Sequence, residues 1–191
     1  MTINWEPEIG DPTLVGWFTV VAYFVTAILC HRAAITANVK SIDIRTAANL
    51  EQYFWLAATI TLVALGINKQ LDLQSLFTEI AREIAKLQGW YGDRQRYQLM
   101  FIKGLGLVAI AIGIAMLWFL RKTAASVKLA LLGFSFLGVF VITRAASFHH
   151  VDQFLGREAF GWRWNWILEL SGIGTIAIAC VAYLRKAKAR Y

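Results

Sequence analysis

The sequence predicts an all-α membrane protein, a multi-pass bundle of five transmembrane helices with one amphipathic helix at the interface. Three observations lead there. Hydrophobic residues make up 58% of the 191 residues, against roughly 45–50% in a soluble domain. They gather in blocks about as long as a bilayer's hydrocarbon core is thick. The basic residues lie beside those blocks, in short loops and at the C-terminus. A single integral membrane domain over residues 1–191 accounts for the whole chain.

The first block, Leu14–Cys30, follows an acidic start, "MTINWEPEIGDP". That start lacks the basic-then-apolar order of a signal peptide, so the block is expected to remain as a span. The second block is Leu50–Ile67, with Glu51 at one edge. Next comes "LDLQSLFTEIAREIAKLQGW", which places Leu73, Leu76, Phe77, Ile80, Ile84 and Leu87 at helical spacing with charges between them. This predicts an amphipathic helix over about 71–88 that lies in the interface or caps the bundle. The remaining blocks are Leu99–Leu120, Val127–Ile142 and Trp164–Leu184. The second and fourth are short, and local thinning or snorkelling would accommodate them.

Orientation follows from charge. Arg32, Lys40 and Arg45 lie in the first loop, Arg121, Lys122 and Lys128 in the third, and "RKAKAR" in the tail. Five spans put all three segments on one side, which the positive-inside rule makes the cytoplasm. The expected setting is a bacterial inner membrane, N-terminus outside and C-terminus cytoplasmic. The net charge of +7 is then a matter of topology and anionic lipid, and nucleic acid is excluded as a partner. Six of the eight tryptophans (5, 17, 90, 162, 164 and 166) fall near the outer boundary, as an aromatic belt would.

Small residues recur at spacings that let helices approach closely: Ala109 and Gly113, Gly133 and Gly138, Ser171 and Thr175, with Gly172 and Gly174 beside them. Cys30 and Cys180 lie within apolar blocks and neither has a CxxC partner. They read as small buried residues, not as a disulfide or metal framework.

With this topology, three stretches deliver polar groups to the outer face. The end of span two gives Asn68, Lys69, Gln70 and Asp72. The end of span four leads to Arg144, His149, His150 and Asp152. The start of span five gives Arg163, Asn165 and Glu169. An ionisable group inside a span is costly unless paired or wetted, so Glu169 stands out as a candidate proton-handling residue. Its structural reading is a side chain at the water edge or an ion pair with Arg144, Arg163 or Lys103. His149 and Asp152 share a helix face at i and i+3. His149, His150 and Asp152 suit a divalent metal such as zinc, although HExxH and HxH spacings are missing. Alternatively, Asp152 orients a histidine base, or the loop only hydrogen-bonds headgroups. Asn68, Lys69, Gln70 and Arg144 are candidates for holding a substrate or an anionic lipid. Asp72 also suits the cap of the amphipathic helix.

Membrane hydrolases of the alkaline ceramidase type hold zinc with histidines and an aspartate in a helical bundle. The chain is similar to them only in bringing His149, His150 and Asp152 near a membrane face. It has fewer spans and no third histidine on that side, so the likeness implies no residue roles.

Two functions are expected from these readings. One is a non-catalytic subunit or assembly factor of a membrane complex, in contact with lipids and other membrane subunits. The other is a metal-assisted hydrolase or transferase on a lipid-like substrate, with Glu169 or Asp152 handling protons. The lack of any complete catalytic motif favours the first.

Overall fold

The computed structural model describes residues 11–41, 47–71, 79–80, 83–89, 92, 94–145, 158–159 and 162–189. Five long helices carry the described residues: α1 (Leu14–Ser41), α2 (Ala47–Leu71), α3 (Arg94–Phe119), α4 (Ala125–Ala145) and α5 (Trp164–Lys188). A 3₁₀ turn, Leu120–Lys122, joins α3 to α4. A two-residue antiparallel ladder pairs Glu158 with Arg163 just before α5.

Among the described residues four helices are long and apolar enough to cross a membrane, over Leu14–Asn38, Asn49–Leu71, Leu99–Trp118 and Trp166–Lys188. A shorter apolar helix runs over Ala125–Val141. Within the expected amphipathic segment, residues 79–80 and 83–87 are helical. Ala85 is buried there, and Lys86 pairs with Glu83 at 2.8 Å.

The helices outrun the apolar blocks. α1 continues past Cys30 through His31 and Arg32 to Ser41. Backbone hydrogen bonding does not require apolar side chains. The continuation buries one stripe of small residues, Ala33, Ala34 and Ala37.

α1 packs along α2 and α5, and α4 packs along α5. The core between them holds Tyr23, Trp55, Leu62, Leu137, Ile176 and Tyr183, with Cys30 and Cys180 among them. α1 and α5 run in the same direction, since Asp11 before α1 and Glu169 early in α5 meet a common partner, Lys69. Trp55, fully buried, belongs to this core, with its ring 5.4 Å from that of Tyr183. Trp17 by contrast is exposed.

Only part of the small-residue pattern is used. A methyl group added at Gly133 would lie 2.9 Å from the Gly172 carbonyl oxygen and 2.7 Å from an Ile176 side-chain carbon. These two glycines therefore let α4 and α5 approach closely. Gly113, Gly138 and Gly174 have open space where a side chain would go. Gly133→Leu is accordingly expected to destabilise the bundle by about 1–3 kcal/mol through overpacking. Gly138→Leu is the control and should leave the denaturation midpoint unchanged.

α3 is the exception to bundle packing. Its main contacts are with α4 and the 3₁₀ turn. None of its described residues is buried, and Leu107, Ile110, Ile114 and Leu117 are all more than half exposed.

Candidate functional site

The site is built from three helix ends that meet at one end of the bundle. Thr13 caps α1, its hydroxyl accepting from the Gly16 N–H at 3.1 Å, an N-cap on the third helical residue. Asp11 in turn accepts from the Thr13 hydroxyl at 2.6 Å. A side chain on Gly16 would collide with the Asp11 carbonyl, so glycine there lets the preceding chain fold back over the helix. α2 ends at Leu71 and carries Lys69 in its last turn, where the helix dipole favours a cation. α5 carries Glu169 in its second turn.

These groups converge. The Lys69 ammonium donates to Glu169 Oε2 at 2.8 Å. The Tyr23 hydroxyl, from α1, donates to Glu169 Oε1 at 3.1 Å. The Lys69 nitrogen also lies 3.5 Å from Asp11 Oδ2. Glu169 is 1% exposed and Lys69 5%. A charge so placed is tolerable only if it is paired and hydrogen-bonded. Here both carboxylate oxygens of Glu169 are engaged, and the ammonium faces two carboxylates.

Beside the pair lies a cavity of about 30 Å³, lined by Tyr23, Leu65, Asn68, Lys69, Phe140, Val141 and Glu169. One water needs roughly 10–15 Å³ measured this way. The cavity suits a water or two and is far too small for a lipid headgroup.

Asp11 lies outside the spans, and its carboxyl is held below the usual range. Partial burial works against the charged form, but hydrogen bonds from Thr13 and the charge of Lys69 outweigh it. A lowered folded value means that the contribution of Asp11 is present above about pH 4, the ordinary value. It is lost as pH falls through the lowered one. Asp11→Asn should thus cost under about 1 kcal/mol at neutral pH, as for a partly exposed pair. The gap from wild type, read from denaturation midpoints against pH, should close only in strong acid.

Of the sequence-predicted site residues, the structure brings Asn68, Lys69 and Glu169 together. Among the described residues the ion-pair partner of Glu169 is Lys69; of the expected partners, Lys103 is exposed on α3, and the side chains of Arg144 and Arg163 lie outside the described ones. Gln70 is partly buried and neither of its amide atoms has a hydrogen-bond partner among the described residues. Arg144 stands in the last turn of α4, one turn beyond the cavity-lining Phe140 and Val141. His149, His150 and Asp152 lie outside the described residues, as does Asp72. Among the described residues no three His, Cys, Asp or Glu side chains gather as a metal would need.

A second polar cluster, missed in the sequence, closes the opposite end. Glu51 of α2 is 5% exposed. It accepts from the Tyr183 hydroxyl of α5 at 2.7 Å and from the Ala124 N–H at 2.7 Å. Ala124 precedes α4, so Glu51 does from another helix what the glutamate of a capping box does from within its own. The only sequence signal was an acid at the edge of an apolar block. Arg121 and Lys122 of the 3₁₀ turn stand at this end, and the guanidinium of Arg121 lies 4.8 Å from the Trp118 ring centroid.

No family model, curated protein or solved structure matches the chain.

Proposed function

We propose that the chain is a five-span inner-membrane protein that acts as a non-catalytic subunit or assembly factor, with α3 as the helix that docks a partner. The observation that carries this reading is the exposure of α3. Its 20-residue apolar span has none of its length buried in the bundle. Gly104, Gly106 and Gly113 on it face open space, so a partner helix could approach its backbone closely. The remaining helices satisfy one another through the Lys69–Glu169 and Glu51–Tyr183 contacts. The basic groups of the 3₁₀ turn and of the last turn of α5 support a cytoplasmic Glu51 end and an outer Glu169 end.

A photoreactive residue at Ile110 in cells tests this. One discrete protein adduct is expected, weakened by Gly106→Leu and not formed from a matched probe at Ile60 of α2. Adducts with lipid alone would refute docking through α3.

The second reading is a metal-assisted hydrolase or transferase on a lipid-like substrate. It draws on Asn68, Lys69 and Glu169 converging on one cavity. That cavity admits water but no substrate, and Glu169 is already held by two donors. The reading therefore needs His149, His150 and Asp152 to supply a zinc site above it. Zinc bound one per chain, and lost in a His149→Ala, His150→Ala variant, would favour it over docking.

A further inference from the structure

Neither polar cluster uses the two thiols, and nothing in the docking reading requires them. Cys30 of α1 and Cys180 of α5 are free, fully buried, and have sulfurs 3.2 Å apart. They are 150 residues apart in sequence and meet because α1 and α5 run parallel. Both lie inside spans. Cys30 is seven residues past Tyr23, about 10 Å along the axis, and Cys180 is three residues before Tyr183.

The surroundings favour bond formation between them. Ala27, Ala34 and Ala37 continue the buried stripe of α1 around Cys30, and Ala179 adjoins Cys180. Small residues on this stripe leave room for the two side chains to meet at the 3.2 Å sulfur contact. A disulfide needs that, because its two Cβ atoms must sit within about 4.5 Å.

We propose that Cys30 and Cys180 form a redox-active dithiol within the membrane, oxidised to an intramolecular disulfide by a lipid-soluble oxidant of the quinone class. Two S–H bonds break and one S–S bond forms. Both electrons and both protons pass to the quinone, which leaves as the quinol. The medium selects this class of oxidant. Both thiols lie inside apolar spans, so an oxidant must reach them through hydrocarbon, and an uncharged quinone dissolves there. Thiols, quinone, disulfide and quinol are all uncharged, so the overall transfer leaves no charge in low dielectric. The bond would tie the first long helix to the last and hold Tyr23 against Glu169.

The test uses the full chain in lipid nanodiscs, with decylubiquinone as the probe. After treatment the protein is denatured and alkylated, and its intact mass is read. Both alkylation sites are expected to disappear together, in a chain that stays monomeric on non-reducing gels, and to return with dithiothreitol. One quinol should form per chain. Cys30→Ser and Cys180→Ser should each keep their remaining thiol alkylatable and yield no quinol. Two thiols still alkylatable after decylubiquinone, or thiols lost only to intermolecular dimers, would overturn the proposal. So would a Cys30–Cys180 bond formed by the water-soluble oxidant diamide but not by the quinone.

Discussion

Lys69→Met is expected to destabilise the bundle by about 3–5 kcal/mol, because it leaves Glu169 as a buried carboxylate with no counter-charge. The Tyr23 hydroxyl alone, at 3.1 Å, does not replace a cation. Adding Glu169→Leu to Lys69→Met removes the stranded charge and should recover most of the loss, since a buried pair replaced by apolar residues is often neutral. The double variant should therefore be more stable than Lys69→Met. Denaturation midpoints in detergent, followed by tryptophan fluorescence, give all three values. A purely spacing role for Lys69 predicts the opposite order, with the double variant the least stable.

Glu51→Ala is the second large effect, at about 2–3 kcal/mol. It deletes two short hydrogen bonds to a buried carboxylate and leaves the Tyr183 hydroxyl and the Ala124 N–H without their partner. The loss should appear as fraying of the start of α4. Faster hydrogen exchange confined to residues near Ala124 would show it, with the Lys69–Glu169 end unaffected. Glu51→Gln keeps an acceptor for one donor and should fall between. Uniform acceleration across every helix would instead mean that the capping role is wrong.

The sequence carried what composition and periodicity carry. Apolar blocks marked the helices, and charges at the block edges marked which ends share a side. Charge and span order place Asn68, His149 and Glu169 at one depth; Asn68 and Glu169 line one cavity together with Lys69, and His149 lies outside the described residues. The partner of Glu169 was not legible. Lys69 lies 100 residues away on a different helix, and several cations at that face were equally eligible. Glu51 was hidden for the same reason, since its donors come from positions 73 and 132 residues further on. No local spacing pairs the two cysteines; their contact is a product of parallel packing. Gly133 and Gly172 show the limit of small-residue patterns. Their spacing matched that of glycines facing open space, and only the crossing of α4 and α5 separates the two groups.

The account rests on α2 and α5 being joined through a buried ion pair. The most direct measurement is the magnetic dipolar coupling between ¹⁵N at lysine Nζ and ¹³C at glutamate Cδ, in protein reconstituted in lipid with Glu83→Gln to silence the pair with Lys86. A strong coupling that vanishes in Lys69→Met is the expected result, matching the 2.8 Å contact. No coupling, or one unchanged by Lys69→Met, would contradict it.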